Sequence, residues 1–187
     1  MERDEKVRFG LMGDGDPVLQ GDENILVAGQ QDIHALAPQR IAQVAGIGHR
    51  IVHGGPNRSH SVPLDDTIIA ELSELAPYAP LHQPHNLSGV RGAMAAFPEA
   101  LQIACFDTAF HRGHPWVNDT FALPRAYYDK GVRRYGFHGL SYDYISTVLA
   151  AEYPALYDGR VVVAHLGNGA SMCALKAGRS IASTMGF

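Results

Sequence analysis

Side chains capable of chemistry gather in four short stretches of this 187-residue sequence. They are His49-Arg50 with His53-Gly54-Gly55, Asp107-Thr108 with His111, "RRYGFHG" from Arg133 to Gly139, and "HLGNG" from His165 to Gly169. Such groups suit the handling of anions: arginine offers a planar fork of donors, and glycine lets backbone N–H groups approach a phosphate closely. The HLGNG loop has two readings. It lacks the lysine and the following helix of a Walker A loop, and Met172 stands where a dinucleotide fingerprint needs its third glycine. The next residues, "ASMCALKA", alternate as a strand does. Spacing alone therefore favours a tight turn between strands, although two glycines in such a turn can still aim N–H groups at a phosphate.

Ten histidines raise a metal-binding alternative. The pairs His49/His53, His82/His85 and His111/His114 are closely spaced, but none joins a Cys or Glu in a helical ligand pattern. No residue is assigned as a direct metal ligand.

Alternating strands and helices must position these groups. "AQVAGIGHRIVHGG" contains a strand ending near Val52, closed by Gly54-Gly55-Pro56. Asp65 is suited to cap a helix whose apolar face carries Ile68, Ile69, Leu72, Leu75 and Ala76, with Pro77 ending it. A second helix shows Leu87, Val90, Met94 and Phe97 at helical spacing and stops at Pro98. "LQIACF" reads as a strand buried on both faces. Ser141 is the expected cap of a third helix with Ile145, Val148 and Leu149 inward, and "RVVVAH" reads as another buried strand. Ala177-Gly178 should form a second turn, followed by a strand over "RSIAS". The alternation predicts an α/β architecture with a mostly parallel or mixed sheet, and such sheets bind ligands at strand ends.

Composition narrows the function classes. With 46% hydrophobic and 18% charged residues, the chain can bury a real core. A net charge of −4 with scattered Lys and Arg gives no electrostatic footprint for nucleic acid or an anionic membrane. No apolar run reaches membrane-spanning length, and "MERDEK" is charged where a signal peptide is apolar, so a cytoplasmic protein is expected. Cys105 and Cys173 each lie in an apolar run and read as buried free thiols. Residues 1–40 read as loop-dominated apart from a strand-like Ile25 to Ala28, and the chain halts at Phe187 just beyond an apolar run.

"GHRIVHGG", "PLHQPHNLSG", "ACFDTAFH", "RRYGFHGLSY" and "VVVAHLGNGAS" stand in the order and spacing of the acetate kinase family, which this sequence resembles from about Val44 to Phe187. The resemblance implies a ribonuclease H-like/actin-like ATPase fold, with mixed sheets flanked by helices and incomplete at both ends. Residues 1–110 would be the later part of the N-terminal acid-binding domain, and residues 111–187 the first part of the C-terminal nucleotide-binding domain. The implied reaction is reversible transfer of the ATP γ-phosphoryl group to acetate, giving acetyl phosphate and ADP with Mg²⁺. Matched motif by motif, Arg50, Asp107 and His138 resemble the catalytic residues; Arg50 also resembles the acid-binding arginine, beside an apolar wall of Val52, Leu81 and Phe137. His165, Leu166, Gly167, Asn168 and Gly169 resemble the loop that binds ATP phosphates.

The chemistry is compatible with these roles. A short carboxylic acid, with a pKa of roughly 4.3, is already an anion at neutral pH, so no general base is needed. The task is to bring that anion against a polyanion and hold it in line, through positioning and positive charge. Arg50 has the matching fork, His138 can donate to an equatorial oxygen, and Asp107 is suited to orient Mg²⁺ through its waters. Discrimination by methylene count is weak, about 1–3 kcal/mol, so a propionate kinase is the neighbouring alternative.

Several family features have no counterpart: the N-x-G-S-S-S loop, the second catalytic arginine, the adenosine-binding region and a late glutamate; Gln83 also stands where many members have Asn. The expectation is an internal piece of an acetate kinase, poorly stable and essentially inactive alone. The parent would be homodimeric. The other alternative is an inactive fragment or pseudoenzyme that retains only folding or pairing surfaces.

Overall fold

A computed structural model describes residues 25–27 and 44–186 of the chain. The expected loop character of residues 1–40 lies outside the described residues, apart from a strand at Ile25–Val27 (β1). After it come strands Gly46–Ile51 (β2) and Val62–Pro63 (β3), helices Asp66–Glu74 (α1) and Gln83–Ala96 (α2), and strand Leu101–Phe106 (β4). Two short helices, Trp116–Asp119 (α3) and Arg125–Asp129 (α4), precede the long helix Gly139–Glu152 (α5) and a turn of helix at Pro154–Tyr157 (α6). Strands Arg160–Leu166 (β5), Ala170–Lys176 (β6) and Arg179–Ser183 (β7) follow.

The first sheet has the order β1-β2-β4-β3. Its β1, β2 and β4 run parallel, whereas β3 pairs antiparallel at the edge, so the sheet is mixed. The register sets Arg50 opposite Cys105 and Ile51 opposite Phe106, which brings the carboxyl ends of β2 and β4 level. Ile51, Ala104 and Phe106 bury against Ile69 and Leu72 of α1 and Leu87 and Val90 of α2. Asp65 caps α1 as expected, its carboxylate accepting the Ile68 N–H at 2.8 Å. Pro77 does not end α1 directly: α1 stops at Glu74, and the proline lies within a 3₁₀ turn over Ala76–Tyr78.

The second sheet, β5-β6-β7, is wholly antiparallel. Both predicted turns are present. Leu166 pairs with Ala170 across Gly167-Asn168-Gly169. Lys176 pairs with Arg179 across Ala177 and Gly178, whose φ values of 48° and 70° give the left-handed pair that fits a two-residue hairpin. Helix α5 covers one face, where Tyr142, Cys173 and Leu175 form a core with Leu149, Val161 and Val163 packed against it.

Two expectations are corrected here. Strand β5 is not buried on both faces: Val162 and Leu166 are 67% and 77% exposed, and its other face is half-buried. Its residues are apolar in both directions, so the alternation that would mark the open face is missing. Ser141 is not the cap of α5 either. The cap lies three residues earlier, at His138 with φ 59°, ψ 21°, and the helix starts at Gly139. Both cysteines are free and buried.

Candidate active site

The parallel register of β2 and β4 dictates the first contact. Arg50 lies near the end of β2, Asp107 immediately follows β4, and the Asp107 N–H donates to the Ile51 carbonyl at 3.1 Å. Arg50 Nη2 then reaches Asp107 Oδ2 at 2.7 Å, while Nε lies 3.2 Å from both carboxylate oxygens. The Asp107 side chain is 2% exposed and that of Arg50 60%, so a buried carboxylate is neutralised by a guanidinium that opens to solvent. Hydrogen bonding to Asp107 pushes the Arg50 pKa above its ordinary value. Among the described residues the Arg50 Nη1 edge has no partner, which leaves two donors for an incoming anion.

Asp107 also anchors the next segment. Its carbonyl accepts the Gly139 N–H at 2.9 Å. A Cβ on Gly139 would sit 2.2 Å from that carbonyl oxygen, so only glycine allows α5 to begin there. His138 is thereby placed beside the Arg50–Asp107 pair, whose charges act on its imidazole. Burial lowers the His138 pKa most, followed by His165; the Asp107 charge opposes this.

The HLGNG hairpin closes the site. The imidazoles of His138 and His165 stack with ring centroids 4.1 Å apart. His138 Nδ1 meets Ser171 Oγ at 2.8 Å, and His165 Nδ1 meets Ser141 Oγ at 3.0 Å. Both Nε2 atoms therefore turn to the loop. A Cβ on Gly169 would lie 3.3 Å from His138 Nε2, and one on Gly167 3.0 Å from His165 Nε2. Leu166 to Gly169 are exposed and ready to meet a solute.

The apolar wall assembles only in part. Phe137 is buried beside the His53 ring, 6.0 Å between centroids, and Val52 is half-buried with its N–H donating to Asn86 at 3.1 Å. Leu81, in contrast, is 79% exposed and does not form a closed surface. Four other histidines have other work. His53 Nδ1 accepts the Gly55 N–H at 3.0 Å, His49 bonds Gln102, and His111 and His114 both bond Ser180. Among the described residues, no three His, Cys, Asp or Glu side chains come together as a metal site.

Sequence reasoning missed Gln83 as a structural bolt: its amide, fully buried, accepts from the His53 N–H and donates to the carbonyls of His53 and Leu72. It also missed Ser171 and Tyr142 behind His138. Tyr142 lies four residues along α5 from His138, the spacing of one helical face, and Ser171 pairs in register with His165.

The acetokinase family model matches residues 24–187. The chain belongs to this family. The acetate kinase of Methylocella silvestris is 60% identical over 146 residues, covering 78% of this chain and 36% of that protein. The acetate kinase of Nitrobacter hamburgensis is 56% identical over 148 residues, covering 79% and 36%. Among solved structures, a propionate kinase from Francisella tularensis superposes with a TM-score of 0.73 at 38% identity, over 79% of this chain and 38% of that one. Porphyromonas gingivalis acetate kinase gives 0.70 at 41% identity, over 78% and 37%. The fold is thus that of the acetate and propionate kinases, and this acetokinase-family chain spans a little over a third of the length of the relatives it matches. No helix among the described residues is long and apolar enough to cross a membrane.

Proposed function

We propose that this chain carries the acid-handling residues and the phosphate loop of an acetate kinase, and that its residues 44–186 perform those tasks once joined to the remainder of such an enzyme. The observation that carries this reading is the convergence on one spot of the Arg50–Asp107 pair, the His138 imidazole and the HLGNG hairpin, residues far apart in sequence. A site for neutralising and aligning two anions needs a guanidinium open to solvent, a hydrogen-bond donor and an uncovered glycine loop.

In this reading Arg50 holds the acetate carboxylate with the donors Asp107 does not use, and Asp107 keeps the guanidinium from swinging away. Val52 and Phe137 exclude water from one side of the acid. His138 offers Nε2 to an equatorial oxygen of the transferring phosphoryl group. His165 and the backbone of Gly167, Asn168 and Gly169 receive ATP phosphates. The fit to phosphate is supported by the exposed loop, whose Gly167 and Gly169 leave open space beside two imidazole nitrogens. For Mg²⁺ the donor set fits only indirectly, because Arg50 occupies both Asp107 oxygens; Asp107 would hold the hydrated ion through water, and the ion would supply charge neutralisation of the phosphates. A propionate kinase would use the same groups, with a wall that tolerates one more methylene.

We place the boundary between the acid-binding and nucleotide-binding parts near residue 110, and the protein in the cytoplasm as one subunit of a homodimer. The 187-residue chain alone should not turn over. The test is a graft: residues 44–186 replace the matching segment of the Methylocella silvestris protein, and acetyl phosphate formation is measured. A folded, inactive graft would favour a pseudoenzyme.

A further inference from the structure

Behind the His138 imidazole runs a chain of hydroxyls that the reading above does not use. His138 Nδ1 lies 2.8 Å from Ser171 Oγ, and the same oxygen hydrogen-bonds the Tyr142 hydroxyl. Tyr142 is fully buried on α5, and Ser171 is 5% exposed on β6, so no bulk water competes for these protons.

The directions of the bonds follow from counting protons. Each hydroxyl has one hydrogen to give. The Tyr142 hydroxyl meets one side-chain acceptor, Ser171 Oγ, and the His165 backbone, which lowers the phenol pKa as an N–H donor does and so offers no acceptor. If Tyr142 donates to Ser171, the Ser171 hydrogen is free to point at His138 Nδ1, and every proton has an acceptor. Either arrangement with an Nδ1–H strands a hydroxyl hydrogen: that of the phenol if His138 donates to Ser171 and Ser171 to Tyr142, or that of the serine if both neighbours donate to Ser171. A buried donor without an acceptor is disfavoured by about 5- to 150-fold, which selects the first arrangement.

We propose that Tyr142 and Ser171 are positioning residues that fix His138 as the neutral Nε2–H tautomer, so that a donor rather than a lone pair faces the HLGNG loop. This rests on the assignment of His138 to the transferring phosphoryl group, since an Nδ1–H tautomer would turn an acceptor lone pair toward an anion. The site's surroundings agree. His165, stacked on the ring, and Arg50 both disfavour a second proton, while Asp107 is the charged group that favours one. The device spans three elements: α5 supplies the phenol, β6 the serine and the turn before α5 the imidazole.

The test is imidazole nitrogen NMR on the ¹⁵N-histidine-labelled 187-residue chain at pH 7.5, which reports tautomers directly. The His138 signal is assigned by loss in His138→Gln. The expected result is an Nε2–H tautomer in the unaltered chain, mixed tautomers in Ser171→Ala and Tyr142→Phe, and recovery in Ser171→Thr. Tyr142→Phe removes only the hydroxyl and reads the same link should Ser171→Ala fail to fold. An Nδ1–H or doubly protonated His138 in the unaltered chain, or an unchanged Nε2–H tautomer in both variants, would overturn the proposal. The readout does not depend on turnover, so an inactive graft would count against the proposed function and leave this result standing. In an active graft, both variants should lower kcat by about tenfold or more with KM little changed, the pattern of a group misaligned in the transition state.

Discussion

Arg50 and Asp107, separated by 57 positions in the sequence, are joined by three N–H···O contacts of 2.7 to 3.2 Å across the ends of two adjacent parallel strands. The pair has both a structural and a chemical consequence. Asp107 is a buried anion that needs a partner, and Arg50 is a half-committed cation whose open side suits a substrate anion.

The first prediction separates these consequences. Arg50→Ala leaves the Asp107 carboxylate buried and unpaired, which should cost about 1–3 kcal/mol of stability; solvent screening of the exposed guanidinium keeps it below the fully buried range. Asp107→Asn in the Arg50→Ala background should recover most of that loss, because the buried charge is gone. Chemical denaturation of the unaltered chain, Arg50→Ala, Asp107→Asn and the double variant gives the coupling energy directly. In the graft, neither the single nor the double variant should regain turnover.

Two glycines should respond in opposite ways. Gly139→Ala drives a Cβ to within 2.2 Å of the Asp107 carbonyl oxygen, backbone against backbone, and should destabilise the chain by about 3 kcal/mol. Gly169→Ala meets only the His138 ring at 3.3 Å, on an exposed loop. It should shift the melting temperature by less than about 2 °C, yet raise the KM for ATP in the graft by about tenfold or more through crowding of the proposed phosphate loop. Equal stability losses at the two positions would contradict this division.

Much of this arrangement is legible in the sequence, and the remainder is not for identifiable reasons. The apolar runs around Ile51 and Phe106 mark β2 and β4, and Asp65 marks the start of α1, because strand burial and helix capping are local effects. The Arg50–Asp107 contact depends on strand register, and the Ser171–His138 contact on a hairpin packing against α5; neither register nor packing is encoded in local spacing. Ser141 suits a cap by residue type, but the Gly139 N–H finds the Asp107 carbonyl, so tertiary contact moves the cap back to His138. Leu81 has the residue type for a wall and not the burial.

Stability should depend on pH through three histidines outside the proposed site. Burial pushes His53, His111 and His114 each down to about 4, with the Arg112 charge adding to the effect. In the unfolded chain they take up protons near their ordinary value of about 6.5. Between pH 6.5 and 4 the unfolded state therefore binds more protons than the folded state, and stability must fall as pH falls through that window. Above pH 6.5 these groups contribute no slope. Melting temperatures recorded from pH 8 to 4.5 should be level at first and then decline, and His114→Gln should make the decline shallower.

The central claim is that residues 44–186 supply the groups that transfer phosphoryl from ATP to acetate. Trapping acyl phosphate with hydroxylamine, in the Methylocella silvestris graft supplied with ATP, Mg²⁺ and acetate, tests it most directly. The graft should turn over within about tenfold of the recipient enzyme and lose at least about a hundredfold in Arg50→Ala and in His138→Ala. A folded graft without turnover, or an active one indifferent to both substitutions, would contradict it.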